Sequence, residues 1–272
     1  MPRALWLGLA CSIAVVSAPQ IVRADSADLA QTLQNPVANL ISFPIQSNYD
    51  FNVGPEDGIR STTNVQPVIP VSISEDWNLI SRTIVPIVYQ NDVVPGEGAQ
   101  FGLSDTLQSV FFSPKAPIES PIGNVIWGAG PAIALPTSTD RLLGPGTFGL
   151  GPTGVVLAQQ GPWTYGTLLN HVWGVAETRD DVPDVNNTFI QPFAAYTTSS
   201  AWTFSINTEL NYNWTAEELS GPINFAVSKV VTVAEQPISL QGRLRWWAAD
   251  TASSPEGLGF TLNATFLFPT GG

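Results

Sequence analysis

The sequence is poor in the residues that most often carry out chemistry. Its 272 residues include one cysteine, Cys11, one methionine and one histidine, His171. A single cysteine excludes an intrachain disulfide and a Cys/His zinc set. A Ser–His pair would have to use His171, and the spacing identifies neither a nucleophile nor an orienting group for it. We therefore expect no enzyme activity, catalytic residue, cofactor or metal site, and we expect His171 to be structural or interfacial.

Charged residues are also scarce. They make up 12% of the chain, about half of the roughly 25% found in a typical soluble domain. The 22 acidic residues outnumber the 10 basic ones, which gives a formal net charge of −12. Because no basic stripe is available to neutralise phosphates, we exclude a nucleic-acid partner.

Long apolar runs are absent beyond the N-terminus. Arg3 precedes the apolar stretch Leu5–Ala18, and Val22-Arg23-Ala24 then offers a cleavage site before Asp25. This pattern predicts that residues 1–24 are a signal peptide and that the chain is exported. No later run reaches the roughly 18 apolar residues of a membrane-spanning helix. If the mature chain lies in a membrane, it must therefore form a closed β-barrel.

What the sequence does have is long two-faced strands. In WTFSINTELNYNW, residues 202–214, apolar side chains fall on one side and polar ones on the other. Only Thr208 interrupts the apolar row. The alternation lasts more than twice the usual strand length of about 5–6 residues. A tilted strand of roughly 9–11 residues crosses a bilayer core, so this stretch predicts one membrane crossing.

Eleven further stretches share this character. Short connections alternate with longer loops that carry many of the charges, as in an up-and-down outer-membrane barrel. We predict an all-β fold: a transmembrane antiparallel barrel of about twelve strands over residues 43–268, with a C-terminal tail at 269–272. The predicted strands are Phe43–Val53, Thr62–Ser74, Trp77–Asn91, Phe101–Ser113, Asn124–Leu135, Phe148–Gln160, Trp163–Glu177, Asn186–Thr198, Trp202–Trp214, Ile223–Val233, Ile238–Ala248 and Leu258–Phe268.

Aromatic residues fall where such strands begin or end. Three tryptophans open strands directly after short turns, which places them at the periplasmic interface. Two others lie near the opposite ends of their strands. The final strand also ends on an aromatic residue and resembles the signal read by the barrel assembly machinery, although four residues follow it. The predicted girdle comprises Trp77, Trp163, Trp173, Trp202, Trp214 and Phe268.

The polar rows of the strands predict which side chains face the lumen. Our candidates are Arg82, Asn207, Glu209, Asn211, Arg243 and Arg245. Two interpretations stay open. The charged side chains form ion pairs that fill a narrow barrel, or they line a constriction that filters solutes by charge.

Residues 25–42 form a short N-terminal segment before the first strand. Leu29, Leu33 and Leu40 are spaced roughly as in a helix, which Pro36 interrupts. The segment either caps the barrel in the periplasm or enters the lumen as a plug. An acidic loop, Glu177 to Asp184, is either a solvated loop or a cation site.

Several blocks resemble a known bacterial family. LAQTLQNPVANLISFPIQSNYDFNVGP, QPVIPVSISEDWNLISRTIVPIVYQ, GPWTYGTLLNHVWGVA, QPFAAYTTSSAWTFSINTELNYNW and FLFPTGG are similar, in this order, to the outer-membrane family labelled transporter, also known as the meta-pathway phenol-degradation family. The resemblance implies an outer-membrane β-barrel of a Gram-negative bacterium with a suspected role in solute uptake. It provides no catalytic motif.

These observations predict a passive channel for small solutes, with hydrophobic or aromatic ones as candidates. The expected partners are outer-membrane lipid, lipopolysaccharide and, during insertion, the barrel assembly machinery. A structural or adhesive barrel with a blocked lumen is the alternative. An exported soluble β-sandwich is a further one.

Overall fold

The structure, a computed structural model, describes residues 25–180, 182 and 184–269. The predicted signal peptide and residues 270–272 of the tail lie outside this range. The chain begins with one helix, α1 (Ser26–Thr32), and continues as twelve antiparallel crossings, three of them interrupted. These are β1 (Ile41–Val53), β2 (Gly58–Val65 and Val68–Ser72), β3 (Trp77–Asn91), β4 (Gln100–Leu103 and Thr106–Pro114), β5 (Gly123–Leu135), β6 (Thr147–Gln160), β7 (Trp163–Glu177), β8 (Asn186–Thr197), β9 (Trp202–Thr208 and Leu210–Asn213), β10 (Glu218–Val233), β11 (Gln236–Ala249) and β12 (Gly257–Phe268). A short strand, Ile118–Ser120, pairs with the start of β5.

The sheet closes on itself. Each crossing pairs with its neighbours in the chain, and β1 pairs with β12 from Ile41 opposite Phe268 to Tyr49 opposite Phe260. The predicted up-and-down barrel of about twelve strands is therefore confirmed. A β-sandwich would instead require two separate sheets packed face to face. Closure leaves no unpaired sheet edge.

The interruptions do not change the path of the strands. Around Glu209 the two parts of β9 keep one register against β10, from Trp202 opposite Lys229 to Asn213 opposite Glu218. The stretch from Trp202 onward is thus a single crossing, as the alternation predicts. In β4, by contrast, the register against β3 shifts by one residue between its two parts.

Two strands begin four or five residues earlier than the sequence predicts. β2 starts at Gly58 rather than Thr62, and β10 starts at Glu218 rather than Ile223. Their first residues pair with the ends of β1 and β9, so each loop is a tight turn. The prediction failed there because these strand ends lack a long apolar row, and backbone pairing alone extends them.

The two faces of the barrel wall differ in polarity. Large apolar side chains that are 36–75% exposed cover the outer face, whereas many polar side chains facing inward are buried. On β10, for example, Phe225 and Val227 point outward while Asn224 and Ser228 point inward. This arrangement inverts that of a soluble protein and is typical of a barrel that faces lipid.

The N-terminal segment lies at one end of the lumen, which we call the α1 end. Asp25 caps α1 by accepting a hydrogen bond from the Ala27 N–H at 3.2 Å. Leu29 and Ala30 then pack against Ala201, Val230 and Leu267. The described residues contain no helix with the length and hydropathy needed to cross a bilayer.

Candidate functional site

The lumen has an apolar side and a charged side. The apolar side is a cluster on β3, β4, β6 and β7, completed by one side chain of the N-terminal segment. We call it the apolar cluster; its buried members are Val37, Ile80, Phe111, Val155, Leu157 and Leu168. Phe189 and Phe193 of β8 pack against it. The six buried members are only 0–5% exposed, so they fill this side of the lumen with packed apolar side chains.

The charged side is a network of two arginines and two carboxylates. Arg243 donates from Nη1 to Glu209 Oε1 at 2.7 Å, and Arg245 donates from Nη1 to Glu209 Oε2 at 3.0 Å. Arg245 Nε also donates to Asp50 Oδ1 at 3.0 Å. The four side chains are only 6–18% exposed. Glu209 therefore bridges both guanidinium groups, and the network joins β1, β9 and β11 across the lumen.

Neutral groups hold the network in place. The Trp247 indole Nε1–H donates to Asp50 Oδ1 at 2.9 Å, and Arg245 lies over the Trp247 ring at 5.4 Å from its centroid. Asn48 Oδ1 accepts from Thr261 Oγ1 at 2.8 Å and from Arg245 Nη1 at 3.4 Å. These contacts fix Arg245 and Asp50 against the wall.

The remaining predicted lumen residues also face inward but lie outside this network. Asn207 accepts a hydrogen bond from Asn224 Nδ2 at 2.8 Å. Asn211 is exposed and sits opposite Phe189 and Ser220. Arg82 donates from Nη2 to Gln66 Oε1 at 3.0 Å, near the N-terminal segment. The structure thus brings Glu209, Arg243 and Arg245 together and keeps the other three apart.

The N-terminal segment crosses the mouth of the lumen at the α1 end. Gln31 Nε2 donates to the Gly161 carbonyl at 2.6 Å, and the Val37 side chain, 4% exposed, packs into the apolar cluster. A cavity of about 180 Å³ remains beside the segment, lined in part by Gln66, Arg82 and Gln191.

At the opposite end, the loop of residues 136–146 folds onto the wall. Asp105 accepts from the Ser138 N–H at 2.9 Å and from the Gly146 N–H at 2.8 Å. Arg179 Nη2 donates to the Ser138 carbonyl at 2.6 Å. The carbonyl of Leu142 accepts from Gln90 Nε2 at 3.3 Å. These bonds hold the loop over the rim on the β3–β7 side.

The six residues predicted to form a girdle lie on the outer face. They are 37–54% exposed; Trp77, Trp163, Trp202 and Phe268 lie near the α1 end, and Trp173 and Trp214 near the opposite end. The sequence prediction missed Trp127, which packs edge-on against Trp77 with ring centroids 5.9 Å apart.

His171 also lies on the outer face, with Nδ1 2.7 Å from Thr188 Oγ1. Its ring stands beside that of Trp173, with 4.1 Å between centroids. Within the described part of the chain, no three His, Cys, Asp or Glu side chains form a group that could hold a metal ion. Asp181 of the acidic loop is outside the described residues.

The sequence prediction also missed several residues of the charged side. Asp50 and Asn48 lie in the polar row of β1, and Trp247 follows the outward-facing Trp246. Alternation alone could have placed all three inward. It could not have shown that Asp50 and Asn48 meet Arg245, because those contacts depend on the closure between β1 and β12.

The fold and lumen define a closed antiparallel barrel with an apolar outer face and a two-sided interior. No protein-family model and no curated protein matches the sequence. Among solved structures, an outer membrane channel from Pseudomonas putida F1 is similar, with a TM-score of 0.65 at 11% identity over 85% of this chain and 96% of that one. Since the identity is low, this similarity supports the fold alone.

Two outer membrane phospholipases match less well. The Escherichia coli enzyme has a TM-score of 0.46 at 10% identity, covering 84% of this chain and 96% of that one. The calcium-bound Salmonella typhi dimer has a TM-score of 0.47 at 11% identity, covering 88% and 98%. Both are too distant to carry an argument about function.

Proposed function

We propose that the mature chain is an outer-membrane channel of a Gram-negative bacterium that passes small solutes by diffusion, with apolar or aromatic solutes as its cargo. The observation that carries the proposal is the two-sided lumen inside a wall whose outer face is apolar. The sequence resemblance to the outer-membrane transporter family and the similarity to the Pseudomonas putida F1 channel support it. The partners in this setting are membrane lipid, lipopolysaccharide and the barrel assembly machinery.

The two sides of the lumen would act on different parts of a solute. An aromatic ring can pack on the partly buried Phe193, and on Phe111 and Leu157 if Val37 moves out, while a hydroxyl group can accept hydrogen bonds from the arginines opposite. Solute selection in pores depends on diameter, on lining donors and acceptors and on electrostatic barriers. Since Glu209 neutralises part of the guanidinium charge, neutral solutes are the best fit.

We further propose that the N-terminal segment is a plug. It occupies the mouth at the α1 end, and Val37 fills part of the apolar cluster that the solute would use. Passage then requires that the segment moves aside or that solutes pass through the remaining space beside Arg82.

A second candidate is a structural barrel with a blocked lumen. The observation that favours it is the low exposure of the network, 6–18% for its four side chains, together with the buried Val37. In that case the ion pairs and the apolar cluster fill the barrel and stabilise it without admitting solutes.

Liposome swelling separates the two candidates. The purified mature barrel is reconstituted and exposed to isosmotic neutral sugars or phenyl glycosides, which do not cross lipid unaided. We expect swelling with both solutes, faster for phenyl glycosides than for non-aromatic glycosides of similar size. A variant lacking Ala27–Gln34 should swell faster if the segment is a plug.

The controls are protein-free liposomes and the same variant scored for correct folding by gel migration. No flux in either protein favours the blocked barrel. Equal flux in the full chain and the deletion variant rejects the plug while leaving the channel in place.

A further inference from the structure

One cation stands apart from all others in the described residues. Lys229 lies on the outer face of β10, opposite the outward-facing Trp202 and Leu240. The arginines of the strands point into the lumen, and the remaining basic residues are in turns or loops. Lys229 is therefore the one basic side chain that the described wall presents to its surroundings.

The protein gives this lysine an aromatic contact but no counter-charge. Its Nζ lies 4.8 Å from the centroid of the Trp202 ring. No described carboxylate is within ion-pair distance of it. Trp202 opens β9 at the α1 end, in the girdle that would lie at lipid headgroup level. A lysine at this level extends its ammonium group toward the headgroups, where phosphates are available.

An apolar groove begins beside Lys229 on the same face. Gly242 of β11 leaves it open, because nothing lies within 4 Å of the position that a Cβ would occupy. Exposed Val227, Leu240 and Leu262 form its sides. The groove has a volume of about 710 Å³, with Trp202 and Lys229 toward the α1 end. An acyl chain is the ligand that fits an apolar groove beside a cation on a lipid-facing wall.

We propose that Lys229 and this groove bind a phospholipid with an anionic headgroup. The ammonium group of Lys229 pairs with the phosphodiester, and one acyl chain lies over Gly242 between Val227 and Leu262. Charge complementarity favours this occupant, because Lys229 lacks a carboxylate partner and lysine binds phosphate as a point charge. The inference rests on the membrane location given under the proposed function.

Native mass spectrometry of the detergent-solubilised mature barrel tests the site. The probes are dioleoyl phosphatidylglycerol, which is anionic, and dioleoyl phosphatidylcholine, which is zwitterionic. We expect about fivefold greater retention of the anionic lipid, which corresponds to the roughly 1 kcal/mol contributed by one basic residue near an anionic surface. Lys229→Gln should abolish the preference, and Gly242→Leu should lower retention of both lipids by filling the groove.

Lys115→Gln is the matched control. Lys115 lies in a turn at the same end, where its ammonium group donates to Ser72 Oγ at 2.6 Å and to the Ser74 carbonyl at 2.7 Å. Its removal should leave the preference intact. Equal retention of both lipids by the unmodified barrel overturns the proposal, as does an equal loss in the Lys115 and Lys229 variants.

A soluble headgroup analogue, glycerol 3-phosphate, tests whether the acyl chain of the lipid contributes to binding. We expect no displacement of the lipid at equal concentration. Full displacement would show that the phosphate contact alone accounts for binding, and it would overturn the proposal that the groove binds an acyl chain. Gel migration confirms that each variant is folded. Lipid preference without solute flux would reject the channel but support the lipid site. Solute flux without lipid preference would support the channel but reject the lipid site.

Discussion

At the residue scale, Glu209 is the centre of the charged network. One carboxylate holds two guanidinium groups at 2.7 and 3.0 Å, and Asp50 balances only the second of them. Removing one partner of a buried ion pair is costly because the other charge stays desolvated. Removing the charge of Glu209 should therefore change both the stability of the barrel and the net charge of the lumen.

We predict that Glu209→Gln destabilises the barrel by about 1–3 kcal/mol, the typical cost of leaving a buried polar group without its partner. The same change should shift ion selectivity toward anions, since two arginines would then outweigh Asp50. Denaturant titration and the reversal potential in a salt gradient measure the two effects. Glu218→Gln, at an exposed position of β10, is the control and should change neither.

Phe111 and Phe112 are adjacent but face opposite ways. Phe111 is 0% exposed in the lumen, whereas Phe112 is 41% exposed on the outer face. We predict that Phe111→Ala costs about 3–5 kcal/mol, as for other buried phenylalanines, and raises single-channel conductance by opening the apolar cluster. Phe112→Ala should leave conductance unchanged. Equal conductance in the two variants would show that the apolar cluster does not limit passage.

The sequence predicts the faces of residues better than their contacts. Alternation with a period of two predicted inward positions for Glu209, Arg243 and Arg245, and the structure places them there. It did not reveal Asp50 as a partner, because the two strands meet only through barrel closure. The pattern likewise left Lys229 and His171 as exceptions in apolar rows, and the structure shows both on the outer face.

At the element scale, the N-terminal segment is a short helix followed by irregular chain, and it contacts residues far away in the sequence, such as Leu267 and Gly161. The sequence predicted a helical stretch ended near Pro36, and α1 ends at Thr32. Periodicity could not decide between a cap and a plug, because both use a short amphipathic helix. The contact of Val37 with the apolar cluster favours the plug.

We predict that Gly128→Val displaces the segment. A Cβ at Gly128 would lie 3.0 Å from Val37 Cγ1 and 3.4 Å from Phe111 Cβ, so the valine methyl groups would compete with Val37 for its position. Openings in planar bilayers should become several times more frequent. Adding Val37→Ala makes room and should restore the original frequency. A failure of this rescue would indicate that Gly128→Val acts on the wall instead.

At the scale of the whole molecule, composition was more informative than any motif. Scarce charge, the lack of long apolar runs and the repeated two-faced strands predicted a closed barrel, and the structure confirms it. Strand ends were less accurate, because hairpins such as β9–β10 continue by backbone pairing beyond the apolar rows.

A barrel held by a continuous closed ladder should resist detergent until it is heated. We predict that unheated mature protein in dodecyl sulfate migrates faster on a gel than boiled protein, and that extraction from membranes requires detergent. Reductant should not alter either result, because the described residues contain no cysteine. Identical migration before and after boiling, with full solubility in buffer, would contradict a membrane barrel.

The path of the N-terminal segment has a mechanical consequence. Leu29 is anchored on the side of β10 and β12, and Val37 on the side of β3 to β7, so the nine residues from Leu29 to Val37 tie opposite walls together. This link restricts changes in the width of the barrel at the α1 end. If the segment moved aside, as proposed, the lumen would gain not only a free mouth but also a wall that is free to change its cross-section.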